Sequence, residues 1–212
     1  MAIAKRFVYL YMLVALDKKG NDYMWYVIQT IKGKEKKVAE EIQSNVAKEN
    51  ENVFVFENEM EYKVKGKWVK DTNPFFPGYI FVDMEESRAE FFGQRLRKIR
   101  HKLLDVDGVI TAIRPEEQDY LMRLGGEEHI VRHSEGFRVD DYIVITSGPF
   151  KGYNGEIRKL DRHHRKATIL IPLSGQDIEV EINLEIVESR TFQELGSEEK
   201  IDRLHMAKVV TD

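Results

Sequence analysis

The sequence contains no cysteine, and this absence removes two classes of site at the outset. Disulfide bridges and zinc sites built on thiolates both require that residue. The absence also suits a chain that works in the reducing cytoplasm, which is the location we expect. A strong excess of charge is missing as well, because the formal net charge of the 212 residues is −4. A nucleic-acid site in this chain would therefore have to be a local basic surface.

A long apolar run is also lacking near the beginning of the chain. The run at residues 7–16 follows Lys5 and Arg6, but its ten residues are too few to span a bilayer, and no small-residue cleavage site comes after it. The segment that begins at Met24 looks like a natural second beginning. We therefore expect residues 1–23 to be a dispensable extension and predict no membrane contact.

Glycine, in contrast, is concentrated in one stretch of the second half. Gly148, Gly152 and Gly155 follow each other within eight residues, between hydrophobic runs at residues 142–145 and 167–171. Such spacing is incompatible with a helix and suits tight turns where backbones approach closely. The pattern predicts a small antiparallel barrel.

Residues 137–157 resemble the KOW motif, which occurs in NusG-type transcription factors and in some ribosomal proteins. The glycines do not form a Walker phosphate loop. Gly148 and Gly152 are one residue too close for that motif, and no Lys-Ser or Lys-Thr pair follows them.

The first half alternates strand and helix patterns, which predicts an α+β domain with an antiparallel sheet and helices packed on it. A capping box of Ser87 and Glu90 predicts the start of the second helix. Pro115 predicts the start of the third helix, and Gly125 with Gly126 predicts its end. The other predicted elements are a strand at 25–30, a helix at 34–48, a buried strand at 53–57 and a hairpin at 59–70 that turns at residues 65–67.

Between that hairpin and the second helix lies an aromatic stretch, residues 73–83. It holds Phe75, Phe76 and Tyr79 beside two prolines and a glycine. The composition alone fits an ordinary core strand. It also fits an exposed patch that contacts a partner.

This half of the chain resembles the N-terminal domain of NusG, through residues 25–27, 33–38 and the Phe-Pro-Gly-Tyr motif at 76–79. The resemblance implies a NusG-type N-terminal domain followed by an SH3-like, all-β KOW barrel. It also implies binding to the clamp helices of RNA polymerase through exposed aromatics, and so favours the exposed reading. The implied polymerase-binding residues are Phe76 and Tyr79 and, less directly, Phe75 and Trp25.

The resemblance divides the chain in sequence order. The expected boundaries are an extension at 1–23, the N-terminal domain at 24–126, a linker at 127–135, the KOW domain at 136–188 and a charged tail at 189–212, within which residues 194–209 could form a helix.

A basic loop stands where the two runs of the barrel meet. It resembles the specialised NusG paralogue LoaP, which implies antitermination and recognition of an RNA hairpin in a nascent leader transcript. Cationic and imidazole side chains suit phosphates and bases. Residues 173–179 lack the Phe-Gly-Arg-Thr-Pro-like turn with which general NusG docks Rho or a ribosomal protein. The predicted RNA-binding residues are Arg158, Lys159, Arg162, His163, His164, Arg165 and Lys166, with Lys151 nearby.

A second basic segment lies on the predicted second helix. Arg95, Lys98 and Lys102 share one flank, and either a solvated face or nucleic-acid phosphate contacts would explain them.

Three alternatives to an antiterminator stay open. One is a general NusG elongation and termination factor, and another is a ribosome-associated KOW protein. A metal hydrolase would use His129 and His133 with Glu127 and Glu128, but the H-E-x-x-H pattern is absent. We expect no catalysis, no metal, no cofactor and a monomer.

Overall fold

The computed structural model describes residues 23–191 and 206–210. The helices are α1 (Glu35–Asn45), α2 (Ala89–Lys98) and α3 (Pro115–Gly125). The strands of the first half are β1 (Tyr23–Gln29), β2 (Asn52–Phe54), β3 (Glu57–Val64), β4 (Lys67–Pro74), β5 (Tyr79–Glu85), β6 (Asp105–Val106) and β7 (Val109–Ile110). Those of the second half are β8 (Ile130–Val131), β9 (Ser134–Val139), β10 (Tyr142–Ser147), β11 (Glu156–Asp161), β12 (Lys166–Leu173), β13 (Gln176–Arg190) and β14 (Ala207–Val209).

The described residues form two compact units, and the first comprises residues 23–54 and 80–113. Its three-stranded sheet has the order β1-β5-β2, with β2 and β5 antiparallel. α1 buries the stripe of Val38, Ala39 and Ile42, because these residues recur at helical spacing. α2 buries Phe92 and Leu96 in the same way. A 3-10 turn precedes α2, and its N-cap Arg88 makes no side-chain cap bond, so the Ser87 capping box is wrong.

The second unit comprises residues 55–79 and 114 onward. One part is the sheet β4-β3-β8, in which β3 and β4 form an antiparallel hairpin and β8 joins β3 in parallel. The hairpin turns at Lys65 and Gly66, as predicted, and both have a positive φ. α3 begins at Pro115 and ends at Gly125, also as predicted.

The other part of this unit is a closed barrel of strand order β10-β14-β11-β12-β13-β9. Alternate residues of β12, Ala167, Ile169, Ile171 and Leu173, point into its core. The barrel confirms the predicted small all-β domain, and with the helices and sheets of the first half the predicted α+β class is confirmed.

The sequential domain boundaries stay a prediction, although some elements lie in unexpected places. β8 and the first residues of β9 fall inside the predicted linker. Residues 207–209 form β14, a barrel strand, so the helix suggested for this part of the tail is wrong there. Nearly all of the predicted extension lies outside the described residues. Among the residues that are described, no helix has both the length and the apolar character needed to span a membrane.

Candidate functional site: the aromatic segment and the basic loop

The aromatic segment lies between β4 and β5 and points inward. Phe75 and Phe76 are each only 1% exposed. The Phe75 N–H donates to the Phe56 carbonyl at 2.7 Å, and the Tyr79 N–H donates to the Phe76 carbonyl at 3.1 Å, across a turn that needs the positive φ of Gly78. The expectation of exposed phenylalanines is therefore wrong for this structure, and only Tyr79 is partly accessible.

The phenylalanine rings pack against one another. The centroids of Phe75 and Phe76 lie 4.8 Å apart in an edge-on arrangement, and Phe56 lies 5.8 Å from Phe75 and 6.1 Å from Phe76. Phe150, from the glycine turn of the barrel, lies 6.4 Å from Phe75. Such pairs add to the burial energy of the rings. Phe75 and Phe76 are thus core residues of the second unit.

Trp25 does not join this cluster. It belongs to the other compact unit, is 2% exposed, and packs against Phe54 at 5.0 Å and Phe81 at 6.1 Å. The predicted group of four aromatics is therefore divided, and its fourth member is a core residue of the β1-β5-β2 sheet.

The glycine turn between β10 and β11 positions Phe150. The Gly152 N–H donates to the Ile145 carbonyl at 3.1 Å, and the Tyr153 N–H donates to the Phe150 carbonyl at 2.9 Å. Gly148 has a φ of 83°, and a side chain there would collide with the backbone of His133. Burial, followed by the neighbouring Tyr120, raises the pKa of Tyr153 to about 12, so its hydroxyl stays neutral. Lys151 of the same turn is exposed.

The predicted basic loop comprises the end of β11, the turn that connects it to β12 and the first residue of β12, and its side chains form two sets. Lys159, Arg162 and His163 are exposed. Arg158 is paired with Glu156 at 3.2 Å, on the surface. His164 is exposed but bonded to Asp161: its Nδ1 lies 2.7 Å from Oδ2, and its backbone N–H donates to Oδ1 at 3.0 Å. Those two bonds, with the side-chain bond the stronger, lower the pKa of Asp161.

The last two cations of the loop are held by other parts of the chain. Arg165 has a positive φ of 54° and lies over the Trp68 ring at 4.2 Å. Its guanidinium also pairs with Glu61 at 2.8 Å and with Glu185 at 2.9 Å. Lys166 lies 5.1 Å from the Tyr62 ring centroid and pairs with Glu181 at 2.6 Å.

Three partners of these two cations, Glu61, Tyr62 and Trp68, lie about 100 positions away in the β3–β4 hairpin, as the separation of 104 between Arg165 and Glu61 shows. Sequence reasoning did not find them. The available signal for this contact was Trp68, which lies among the lysines of the hairpin. An aromatic ring on a solvent-exposed hairpin is more stable when another side chain packs over it.

The second predicted basic segment is not one surface. Arg95 donates from Nε to the Val46 carbonyl at 2.9 Å and pairs with buried Glu51 at 2.5 Å. α2 ends at Lys98, so Lys102 lies beyond the helix, where it pairs with Asp105 at 3.5 Å. Of the three, Lys98 alone is exposed without an ion pair among the residues described.

Glu51 is the buried counter-ion of this region. Burial raises the pKa of its carboxyl, but hydrogen bonds from Arg95, from the Lys48 N–H and from Arg88 outweigh it and hold the pKa below the usual value. Arg95 therefore has a structural role that the sequence did not indicate.

The residues proposed for a metal hydrolase are not assembled. His129 lies against the Phe56 ring at 6.0 Å. His133 instead has its Nε2 3.4 Å from Glu135 and 3.8 Å from Glu185, and these three side chains have the ligand types for a metal ion. Arg165 already places a positive charge 2.9 Å from Glu185, which disfavours a cation there.

Two family models match successive parts of this sequence. The profile described as "Transcription termination factor nusG" matches residues 23–129, and that of the KOW motif matches residues 139–171. Similar proteins named transcription termination/antitermination protein NusG are transcription factors rather than enzymes. That of Rickettsia typhi is 23% identical over 180 residues, covering 78% of this chain and 89% of the relative. That of Staphylococcus carnosus is 27% identical over 172 residues, covering 77% and 94%.

A solved structure titled "Domain interaction in Thermotoga maritima NusG" is 21% identical, covers 76% of this chain and 93% of its own, and has a TM-score of 0.47. Since the first family profile spans half of the sequence and the KOW motif follows it, this chain belongs to the NusG family of transcription termination and antitermination factors.

Proposed function

We propose that this protein is a processive antitermination factor that binds RNA polymerase through its NusG-type domain and an RNA hairpin of the leader transcript through its KOW barrel. The observation that carries the proposal is the exposed cationic surface formed by Lys159 of β11 with Arg162 and His163 of the following turn, in a chain of the NusG family. Relatives at 23–27% identity are general NusG proteins, so the specialised role rests on this loop.

The loop suits a folded RNA. Duplex RNA is contacted mainly at its phosphates and its 2′-hydroxyls, and a compact cationic turn can reach both. Each phosphate neutralised contributes roughly 0.7 to 0.9 to the slope of log affinity against log salt.

The RNA proposal is tested with Lys159→Ala combined with Arg162→Ala, and with Lys32→Ala combined with Lys37→Ala as the matched control, because the control removes two exposed lysines from outside the loop. Binding of a labelled leader RNA is measured across a series of salt concentrations. The double variant should lose about 1.4 to 1.8 from the slope, and the control should leave it unchanged. A slope that is flat in the unaltered chain would remove the proposal.

The burial of the phenylalanines limits which side chains can contact RNA polymerase directly. Of the predicted contact residues, Tyr79 alone is partly exposed, whereas Phe75, Phe76 and Trp25 are buried. Tyr79 would then contact the clamp helices directly, with Phe76 supporting it from the preceding turn, where their backbones are hydrogen-bonded.

Co-purification with polymerase separates direct contact from support. Tyr79→Ala should reduce the bound fraction without changing the melting temperature, and Tyr79→Phe should retain binding because it keeps the ring. Unchanged binding by Tyr79→Ala would eliminate Tyr79 as a contact.

A general NusG factor is the second candidate, favoured by the names of the relatives. Transcription through a terminator in vitro distinguishes the two. Read-through that requires the native leader supports the specialised role, and equal effects on templates with and without the leader support the general one.

A further inference from the structure

The β3–β4 hairpin has a strongly basic tip that the proposed function does not use. Lys63, Lys65 and Lys67 surround the Lys65–Gly66 turn, and all three are exposed. None of them forms an ion pair within the described part of the chain, whereas Lys70, further along the hairpin, is paired with Glu59 at 2.9 Å. The tip therefore carries three uncompensated charges.

The hairpin and the basic loop line one concavity. Tyr62, Lys63 and Gly66 form one wall, and His163, His164 and Lys166 form the other. The two walls are fastened together, because Arg165 of the loop lies over Trp68 at 4.2 Å and pairs with Glu61 at 2.8 Å. This fastening lies within one compact unit. The lysines therefore have a fixed place beside the proposed RNA-binding loop.

Two acids of the concavity are already paired with cations, and the third, Asp161, is hydrogen-bonded to a histidine. Glu61 is bound by Arg165 and Glu181 by Lys166. Asp161 is bound by His164. The cations without an ion pair are the three lysines of the hairpin tip, of which Lys63 lines the concavity. An anionic polymer that crosses the tip would meet these three lysines, and the barrel loop of the same unit carries the exposed Arg162.

The aromatic rings indicate which form of nucleic acid fits. Single-strand binders stack bases on open aromatic faces. Here Arg165 lies over Trp68 and Lys166 lies over Tyr62, so each ring already has a cation on one face. Contacts from the lysines would then go to phosphates, as in recognition of an A-form duplex by its shape.

We propose that the tip of the β3–β4 hairpin is the second half of the RNA site, and that Lys63, Lys65 and Lys67 contact the phosphates of the RNA stem while the barrel loop contacts it from the other side. The inference rests on RNA binding by the barrel loop. It adds to that site an element outside the KOW motif.

The test uses the full chain and a labelled RNA hairpin with a stem of about 16 base pairs, the length that a duplex-RNA module spans. K63A/K65A/K67A is compared with K32A/K37A/K48A, which removes the same number of exposed lysines from elsewhere. Anisotropy is measured over a range of salt concentrations. The hairpin variant should bind at least about tenfold more weakly and lose about 2 to 3 from the salt slope, and the control should change neither.

Two further arms make the outcomes distinct. If the tip variant behaves like the control while K159A/R162A loses affinity, the hairpin is not part of the site but the proposed function stands. If the unaltered chain does not bind the RNA, both fail. A DNA hairpin of the same sequence should bind more weakly, and equal binding would overturn the A-form assignment. Should the tip variant melt at a lower temperature, the Lys→Gln version, which keeps the aliphatic stems, gives the same comparison.

Discussion

The family resemblance implies that the aromatic segment and the basic loop are both contact surfaces, but their side chains differ in accessibility. Phe75 and Phe76 are buried among rings of their own unit, whereas the loop leaves Arg162 and His163 exposed but holds Arg165 and Lys166 internally. An unusual density of one residue type therefore indicates that the side chains need partners. It does not indicate whether those partners belong to the same chain.

The largest effect should come from the buried rings. Phe76→Ala should destabilise its unit by about 3 to 5 kcal/mol, because it removes a ring that is 1% exposed and leaves a cavity. Tyr79→Ala should cost much less. Urea unfolding measures both, and equal costs would contradict the burial of Phe76.

The next effect concerns Glu51, which binds Arg95 and Arg88. Glu51→Gln should cost about 3 kcal/mol at neutral pH, because it breaks a buried ion pair. Since the folded pKa lies below the unfolded value near 4.5, the wild-type advantage is complete above that pH and falls as the pH decreases through the folded pKa. Denaturation at a series of pH values should show a shallower acid loss in Glu51→Gln. An unchanged acid profile would mean that the carboxylate is not stabilised in the fold.

A smaller effect on stability is expected at the two arginines of the basic loop, Arg165 and Arg162, and it should differ between them. Arg165→Ala should cost about 1 to 2 kcal/mol, because a cation–π contact and two ion pairs are lost. Arg162→Ala should stay within about 0.5 kcal/mol, as an exposed substitution. RNA affinity should respond to Arg162 directly. If Arg162 proves the more costly in stability, the division of the loop is wrong.

The smallest effect is expected at Lys98. Lys98→Ala should change stability by less than about 0.5 kcal/mol. Its RNA salt slope should equal that of the unaltered chain if this lysine lies on a solvated face. A slope reduced by roughly 0.7 to 0.9 would instead support the phosphate contact.

Local signals predicted local structure well. Pro115 and Gly125 bound α3, and Lys65 with Gly66 form the hairpin turn, because each feature depends on the backbone preference of one or two residues. The Ser87 capping box failed because a 3-10 turn occupies that position. The second helix also stops at Lys98, before Lys102.

Contacts between residues far apart in the chain could not be predicted from the sequence. Arg165 meets Glu61 across 104 positions, and Phe75 meets Phe150 from another element. Either partner alone is compatible with an exposed or a covered side chain. The sequence therefore predicted which residue types form the candidate site, but only partly which of their side chains are accessible to solvent.

The last strand, β14, closes the barrel between β10 and β11. β14 pairs antiparallel with β10 through Ile143 and Ala207, and parallel with β11 through Ile157 and Val209. A chain without residues 207–209 would leave the facing borders of β10 and β11 with free amides and carbonyls, and such borders recruit strands from other molecules. Three residues outside the KOW match thus cover a strand edge at which the barrel would otherwise be open to pairing with other molecules.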